Sequence, residues 1–310
     1  MLLITRDMPP EVLTRARREH DVRELRLTGS FAPHHVLDNI AGITAILCIP
    51  ADKFDAALIN ALPDSVKVIG TFSVGLEHID LEAAAARGIS VCHTPDVLTT
   101  ATAELSLMLM LMAARRAGEG ERILRAGLWP GLAPTYHLGR GVAGKTLGIF
   151  GMGRIGQALA QMARGLNMQI HYRNRHRLPP ELEQGAIYHD DDASFLGTLD
   201  FLSINAPGGA ATHHWLNTAR IAALKPGAIV VNTGRGTTID DDALIAALRS
   251  GHIAAAGLDV FANEPAIPAG YLALENVVLL PHIGSATIEA RNAMGFLALD
   301  GIAAALAPIP

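Results

Sequence analysis

The sequence predicts an α/β protein of about two domains, each a doubly wound parallel sheet with helices on both faces. Two observations carry this prediction. Apolar strand-like runs alternate with helical stretches along the chain, and its 310 residues amount to about two domains of ~150 residues each. Half of the residues are apolar and 18% are charged, so a chain of this length buries two cores without a disulfide or a metal.

The first third of the chain contains four expected strands, with helices at residues 11–19 and 81–87 between them. A long helix rich in Leu and Met follows at 98–116, and its apolar faces indicate burial between two domains. It should end in a basic pair and a Gly-Glu-Gly turn at 118–120. The four expected strands are residues 2–5, 45–49, 66–72 and 89–93.

After a segment rich in Gly and Pro at residues 127–144, six further strands are expected, the number found in a complete dinucleotide-binding sheet. A final helix begins near residue 285. The six expected strands are residues 146–150, 169–172, 200–204, 228–232, 254–260 and 277–280.

The charge balance limits the partners of the chain. Its 25 basic and 30 acidic residues give a net charge of −5, which disfavours nucleic acid and anionic membranes. The longest apolar run, residues 105–114, is shorter than the roughly 20 residues that cross a bilayer. Cys48 and Cys92 fit neither a disulfide framework nor a thiolate metal site, and the N-terminus lacks a basic signal region. We therefore expect a cytoplasmic protein without a metal.

A glycine-rich turn follows the first of the six later strands. Gly151, Gly153 and Gly156 form the pattern Gly-x-Gly-x-x-Gly, and a helix begins there with Arg154 and Ile155. The first glycine permits the tight turn, the second lets the backbone approach a pyrophosphate, and the third lets helix and strand pack closely. The N-terminus of that helix attracts phosphates. This context favours a dinucleotide site over an ordinary strand-to-helix turn.

About 20 residues further on, where a site for NAD requires a carboxylate, the sequence is basic. Residues 151–180 contain no Asp or Glu, and Arg173, Asn174, Arg175, His176 and Arg177 follow the second strand of this series. Since a guanidinium is a natural bidentate partner of phosphate, we expect NADP(H) rather than NAD(H). Arg175 and Asn174 are the main expected contacts and the other three are further candidates. The alternative interpretation is a solvated basic loop.

Three late strands each lead into a polar segment, and the carboxyl ends of parallel strands share one edge of the sheet. Arg235, Glu264 and His282 lie in these segments. Reduction of a 2-keto acid requires a proton donor that titrates near neutrality, so His282 fits as general acid. Glu264 would fix its tautomer, and Arg235 would anchor the substrate's carboxylate and polarise its carbonyl group. Singly, each residue has an ordinary structural explanation, but together they favour a catalytic site.

The chain resembles the D-isomer-specific 2-hydroxyacid dehydrogenases over nearly its whole length. Within that family it is most similar to NADPH-dependent glyoxylate/hydroxypyruvate reductases and bacterial 2-ketogluconate reductases. The motifs that carry the resemblance are Val74-Gly75 with Asp80, Thr102-Ala103-Glu104, Gly144 to Gly156, Asn232 to Gly236, Asp259 to Pro265 and Pro281 to Thr287.

The resemblance implies two Rossmann-like domains. The substrate-binding domain is discontinuous, residues 1–97 plus 286–310, and the dinucleotide-binding domain comprises residues 98–285, with a hinge near residues 98 and 285. A homodimer is implied through the segment around residues 100–145.

The resemblance also assigns roles to individual residues. Arg235, Glu264 and His282 match the catalytic residues. Backbone N–H groups of Ser73, Val74 and Gly75 match the loop that holds the substrate's carboxylate, with Arg235 and His282 as further substrate contacts. The expected cofactor contacts are Gly151, Gly153, Arg154, Ile155, Gly156, Arg173, Asn174, Arg175, His176, Pro207, Thr212, Thr233, Asp259 and Ser285.

Two segments depart from the family pattern. Residues 205–212 lack the usual His and the acidic turn, which predicts a more flexible loop and puts the contact of Thr212 in doubt. Gly234 stands where many members have Ala, which predicts a looser loop around Arg235.

The expected function is therefore NADPH-dependent reduction of a 2-keto acid to the D-2-hydroxy acid, the substrate being 2-ketogluconate or glyoxylate/hydroxypyruvate. Several polar side chains lie in segments expected to border the substrate, and they weakly favour the sugar acid. These residues are Ser73, Glu77, His78, Thr99, Tyr136 and His137.

Two alternatives remain. A non-catalytic dinucleotide-sensing scaffold of corepressor type is disfavoured by the compact length of the chain. Oxidation of an inorganic anion such as phosphite is disfavoured because the sequence has no Lys between Lys67 and Lys145.

Overall fold

The computed structural model describes residues 1–307 and divides into two compact units. The first comprises Met1–Leu98 and the segment that starts at Ser285, and the second comprises Thr99–Gly284. The last three residues of the expected substrate-binding domain, 308–310, lie outside the described residues.

The first unit is built on a five-stranded parallel sheet. Its strands are Leu2–Ile4 (β1), Val22–Glu24 (β2), Ala45–Cys48 (β3), Val68–Thr71 (β4) and Ser90–Cys92 (β5). Its helices are Pro10–Glu19 (α1), Pro33–Leu37 (α2), Ala56–Ala61 (α3), Leu81–Ala86 (α4) and the last helix of the chain, Ile288–Leu306 (α13). The spatial order of the strands is β2-β1-β3-β4-β5.

Small residues let α13 return to this unit and cover its sheet. A Cβ at Gly70 would lie 2.8 Å from the Cδ1 atom of Ile302, so β4 has room for α13 only because residue 70 has no side chain. Gly295 of α13 meets Val12 of α1 in the same way. The C-terminal helix is therefore part of the first unit's core.

The second unit is built on a seven-stranded parallel sheet. Its strands are Thr146–Phe150 (β6), Gln169–Arg173 (β7), Ile187–Tyr188 (β8), Phe201–Ile204 (β9), Ala228–Asn232 (β10), Ile253–Leu258 (β11) and Val277–Leu279 (β12). The spatial order is β12-β11-β10-β9-β6-β7-β8. The strand order reverses at β6, since the strands that follow it are added first on one side, beginning with β7, and then on the other side, beginning with β9. In open α/β sheets, ligands bind beyond the carboxyl ends of the strands at such a reversal.

Helices cover both faces of this sheet. They are Thr99–Ala114 (α5), Ala117–Arg125 (α6), Arg154–Arg164 (α7), Pro180–Glu183 (α8), Asp192–Leu196 (α9), Thr218–Ala223 (α10), Asp241–Ser250 (α11) and Ala269–Leu272 (α12), with a 3-10 turn at Gly236–Thr238. Side chains of α5 and α7 belong to one buried cluster, and those of α9, α10 and α11 to another. No helix among residues 1–307 is both long and apolar enough to cross a membrane.

The predicted fold class is confirmed, with corrections to its elements. Among the described residues, each sheet has one strand more than expected, β2 in the first and β8 in the second. The apolar pattern does not predict them, because both strands are short and β2 carries two charged side chains. The long helix ends at Ala114 rather than at residue 116. The expected Gly-Glu-Gly turn at 118–120 is helical, since the chain turns earlier, at Arg116, whose φ is 53°.

Two stacked histidines join β7 to the segment after β8. The Nδ1 atom of His171 lies 2.9 Å from the Nε2 atom of His189, so one ring donates to the other only while a ring nitrogen is unprotonated. Burial is the main cause that lowers the pKa of both histidines. Burial therefore disfavours the charged form of both rings in the folded protein.

This pair predicts loss of stability in acid. Because the folded-state pKa values lie below the unfolded value of ~6.5, the contribution is complete above that pH and is lost as pH falls below it. The melting temperature should drop between pH 7.5 and pH 5, and the drop should be smaller in His171→Gln and in His189→Asn. Equal drops in all three proteins, measured by circular dichroism, would show that the pair does not titrate with folding.

Candidate active site

The glycine-rich turn after β6 has the shape that the sequence predicts. Gly151 has a φ of 91°, and a Cβ there would lie 2.5 Å from the backbone nitrogen of Ala206. A Cβ at Gly156 would lie 2.7 Å from the carbonyl oxygen of Gly151. Both positions therefore exclude any side chain, while a Cβ at Gly153 would point into open space. The cradle has room for a phosphate beside its backbone.

The start of α7 supplies donors to this cradle. No side chain caps the helix, and the N–H groups of Ile155 and Gly156 have no acceptor within residues 1–307. Arg154 is the first residue of the helix and its side chain is exposed. Unpaired N–H groups and the helix dipole favour a bound anion, so these residues fit the pyrophosphate of a dinucleotide.

Asn174 lies beside the cradle rather than out in solvent. Its Oδ1 atom accepts a hydrogen bond of 2.7 Å from the N–H of Met152, and its Nδ2 atom donates one of 3.4 Å to the carbonyl oxygen of Met152. The residue that follows β7 thus braces the backbone of the glycine-rich turn.

The arginines at the end of β7 are not equivalent. Arg177 forms a bidentate pair with Glu183, at 2.7 and 3.0 Å, and Glu183 also accepts a bond of 2.6 Å from the Tyr172 hydroxyl. The Arg177 guanidinium, followed by the Tyr172 hydroxyl, lowers the pKa of Glu183 to about 2. Arg177 is one of the candidates for the cofactor's phosphate. In the structure it is paired with Glu183, which lies just beyond the residues 151–180 that contain no Asp or Glu.

Arg175 and His176 differ from Arg177 in having no such partner. Both side chains are exposed, and neither makes a hydrogen bond or an ion pair in the described part of the chain. Arg173 is intermediate, because its Nε atom lies 3.4 Å from the Asp192 carboxylate and its Nη1 atom donates to the carbonyl oxygen of Asn174. Of these three arginines, Arg175 is therefore the one most available to a bound anion.

His282 and Glu264 form the central pair of the second site. The Nδ1 atom of His282 lies 2.7 Å from the Oε2 atom of Glu264, and the other carboxylate oxygen accepts a bond of 2.8 Å from the N–H of Phe261. Burial raises the pKa of Glu264, but these two bonds, together with the charges of His282 and Arg235, outweigh burial and lower it. Glu264 is thus an anion that orients the ring, leaving Nε2 of His282 for a substrate.

A buried carboxylate holds the segment on which His282 lies. Asp259 accepts hydrogen bonds of 2.8 Å from the N–H groups of both Ile283 and Gly284, and its carbonyl oxygen accepts one of 2.9 Å from His282. Burial, as the main cause, raises the pKa of Asp259. The sequence predicts a cofactor contact for Asp259; in the structure it positions the histidine loop.

The loop that carries Arg235 is closely fitted. Asn232 accepts a bond of 3.0 Å from the N–H of Gly234 and donates one of 3.0 Å to the carbonyl oxygen of Arg235. A Cβ at Gly234 would lie 2.7 Å from the carbonyl oxygen of Ala206. The expectation that Gly234 loosens this loop is wrong, because the glycine permits a close approach that the loop requires.

Neighbouring segments also pack closely against the loop of Arg235. A Cβ at Gly208 would lie 3.2 Å from the Cγ atom of Arg235, and a Cβ at Gly236 would collide with the backbone of Phe261. In the loop of residues 205–212, the Thr212 hydroxyl donates to the carbonyl oxygen of Pro207 at 2.7 Å. That bond uses the hydroxyl proton of Thr212, the residue for which the resemblance implies a cofactor contact.

Sequence reasoning missed a buried chain of uncharged groups below this edge. Asn205 donates to the Thr233 hydroxyl at 3.1 Å, Thr233 lies 2.6 Å from Ser106, and Ser106 donates to the carbonyl oxygen of Thr102 at 2.9 Å. Because each hydroxyl has one proton, the chain runs in one direction and fixes Thr233 against α5. The motif around Thr102 was visible in the sequence, but nothing there indicated its partner.

The expected substrate loop lies in the first unit, after β4. The Ser73 hydroxyl donates to the carbonyl oxygen of Gly75 at 2.6 Å, and His93 lies 3.0 Å from the carbonyl oxygen of Val74. The N–H groups of Val74 and Gly75 have no acceptor within residues 1–307. The loop is thus held by side chains while its donors stay available. Ser285 follows the second unit, and its carbonyl oxygen accepts from the N–H of Thr287.

Comparison with known proteins identifies the family. The model of the D-isomer-specific 2-hydroxyacid dehydrogenase, NAD-binding domain, matches residues 107–284. The chain belongs to the D-isomer-specific 2-hydroxyacid dehydrogenases. A glycerate dehydrogenase of Hyphomicrobium methylovorum is 42% identical to this dehydrogenase over 96% of its chain and 94% of the relative's.

Two further relatives are named as reductases. A glyoxylate reductase of Thermococcus litoralis is 41% identical to the dehydrogenase over 98% of its chain and 92% of the relative's. The solved structure of an NADPH-dependent glyoxylate/hydroxypyruvate reductase from Sinorhizobium meliloti, in complex with NADP and malonate, superposes with a TM-score of 0.85. It is 34% identical to the dehydrogenase, covering 98% of this chain and 92% of that one.

The tight fit around Arg235 predicts a costly substitution. In Gly236→Ala, the new methyl group meets the backbone at Phe261, so the free energy of unfolding should fall by about 1–3 kcal/mol and kcat/KM should fall with it. Gly141→Ala is the matched control, because a Cβ there would meet nothing within 4 Å. Chemical denaturation of both variants tests this, and a Gly236→Ala protein as stable as the control would contradict it.

Proposed function

We propose that this dehydrogenase reduces glyoxylate to glycolate and hydroxypyruvate to D-glycerate, with NADPH as the electron donor. The bond of 2.7 Å between His282 and Glu264, with Arg235 close enough to lower the pKa of Glu264, carries the proposal. A proton donor, a carboxylate that orients it and a fixed guanidinium are the groups that reduction of a 2-keto acid requires.

A reduced nicotinamide cofactor held by the glycine-rich turn would supply a hydride to the carbonyl carbon of the substrate. His282 gives the proton on its Nε2 atom to the carbonyl oxygen, so that the C=O group becomes CH–OH. Glu264 holds the Nδ1 atom and stabilises the imidazolium before transfer. Arg235 polarises the carbonyl group, and its forked donors match a carboxylate. The N–H groups of Val74 and Gly75 are the proposed donors to the substrate's carboxylate.

The preference for NADPH rests on Arg175. Its exposed guanidinium follows β7, next to Asn174, which braces the glycine-rich turn. The carboxylate that a site for NAD would place at the end of this strand does not occur in residues 151–180. A phosphate on the 2′ position would therefore meet a cation rather than an anion.

A small substrate is favoured by the state of two polar groups that the sequence offered to a sugar acid. The Ser73 hydroxyl donates its proton to Gly75, and a ring nitrogen of His137 lies 3.0 Å from the carbonyl oxygen of Arg116. Ser73 therefore cannot donate that proton, and His137 cannot offer that ring nitrogen, to a chain of substrate hydroxyls without losing these bonds. Relatives named glyoxylate reductase and glycerate dehydrogenase point to the same size.

We also propose that the dehydrogenase is a cytoplasmic homodimer. Large apolar side chains of α6 and the segment after it are exposed on the single chain, and a patch of this kind marks an interaction site. The scaffold alternative is not favoured, since the relatives named above are enzymes. The exposed side chains of the patch are Leu124, Leu128, Trp129, Leu132 and Leu138.

A substrate and cofactor series tests the proposed reaction. With NADPH, kcat/KM should be highest for glyoxylate and hydroxypyruvate, lower for pyruvate, and lowest for 2-ketogluconate; with NADH every value should fall. The measurement is the decrease in absorbance of the reduced cofactor at saturating cofactor. A maximum at 2-ketogluconate would refute the small substrate, and equal or better use of NADH would refute the cofactor choice.

Removal of the proton donor tests the mechanism. His282→Ala should lower kcat for reduction by about 10²–10⁴-fold while the Kd for NADPH changes little. Near-normal turnover in His282→Ala would remove His282 from the mechanism.

A further inference from the structure

We propose that Asp192 is a positioning residue that sets the strength of the preference for NADPH, by restraining Arg173 at the edge of the 2′-phosphate site. The inference rests on the proposed cofactor. It adds to the cofactor site a residue that lies 19 positions beyond Arg173 in the chain. Asp192 begins α9, a short helix that follows β8.

Arg173 is well placed to reach a phosphate. It is the last residue of β7, and its carbonyl oxygen accepts a bond of 3.0 Å from the N–H of Gly151. Its backbone is therefore attached to the first glycine of the cradle. The side chain, 24% exposed, starts where the strand ends and the adenosine half of a dinucleotide is expected.

Asp192 is shared between two guanidinium groups. Its Oδ2 atom lies 2.6 Å from the Nε atom of Arg220, and its Oδ1 atom lies 3.4 Å from the Nε atom of Arg173. The Nε atom of Arg173 is buried without a hydrogen-bond partner in the described chain. The contact with Asp192 is thus an ion pair without a good hydrogen bond, the weaker half of the shared arrangement.

Arg220 is the firmly held partner. It donates to the carbonyl oxygen of Trp215 at 2.9 Å, and its guanidinium lies 5.5 Å from the centre of the Trp215 ring, which stacks on Phe150 at 3.6 Å. Arg220 therefore keeps Asp192 in place, and Asp192 in turn restrains Arg173. A dianionic 2′-phosphate competes with Asp192 for Arg173.

The neighbouring arginine shows what a full pair looks like. Arg177 donates twice to Glu183 and lies 5.9 Å from the centre of the Tyr188 ring, so its release costs two good hydrogen bonds. Arg173 is held to Asp192 by a long ion pair alone, and its other bond runs from Nη1 to the carbonyl oxygen of Asn174. The structure thus grades three arginines: Arg175 available, Arg173 partly restrained and Arg177 committed.

Binding measurements test the role of Asp192 without turnover. Asp192→Asn removes the competing charge, so the Kd for NADPH and for 2′,5′-ADP should fall by about 3–10-fold, while the Kd for NADH and for 5′-ADP stays within twofold. Arg173→Gln should weaken NADPH by about 2–5-fold, and adding Asp192→Asn to it should restore no affinity. Titration calorimetry at low and high salt gives each value, and the gain should shrink at high salt.

Asp190→Asn is the matched control, because it makes the same charge change two residues away at an exposed position. The inference is overturned if this control gains as much as Asp192→Asn, if Asp192→Asn changes NADPH and NADH equally, or if Arg173→Gln leaves NADPH unchanged. The last result stands even if Asp192→Asn fails to fold. Tighter binding of NADH than NADPH by the unsubstituted protein refutes the proposed cofactor, whereas a selective gain in Asp192→Asn would still support the role of Asp192.

Discussion

The two hydrogen bonds that the Asp259 carboxylate accepts from Ile283 and Gly284 are the interaction on which the candidate active site depends. They hold the segment after β12 against the end of β11, and His282 lies on that segment with a φ of 53°. Glu264 meets the ring only because the histidine is held there. A buried carboxylate without partners would be costly, so the two N–H groups stabilise Asp259 as much as Asp259 orders the loop.

A second constraint is how closely the loops approach one another at this sheet edge. Side chains are excluded at Gly151 by Ala206, at Gly234 by the same residue, and at Gly236 by Phe261. The cradle for the cofactor and the loop of Arg235 therefore rest on one shared backbone segment. Rigid positioning of this kind is what lets charged groups act on a reacting carbonyl without reorganising.

The two sheets could be predicted from the sequence because repeated apolar runs indicate strands and polar segments mark their ends. The same pattern placed Glu264 and His282 in segments at one edge of the second sheet, where they are in contact. What escaped prediction depends on partners rather than on pattern. The strands β2 and β8 are too short for a run of apolar residues. The window of residues 151–180 has no carboxylate, yet Glu183 and Asp192 fold back onto Arg177 and Arg173. The bond between Thr233 and Ser106 joins positions 127 apart, with no periodicity to announce it.

The bracing of Met152 by Asn174 has a consequence for redesign of this protein. Cofactor exchange is commonly imagined as a change confined to the ribose pocket, separable from the phosphate cradle. Here Asn174, which directly follows β7, where the ribose is expected, is also a structural member of the glycine-rich turn, through both polar atoms of its amide. A carboxylate introduced at position 174 would keep one acceptor for the Met152 N–H and lose the donor to its carbonyl. The glycine-rich turn and the segment after β7 are therefore structurally coupled, and a change in one has to be accompanied by a change in the other.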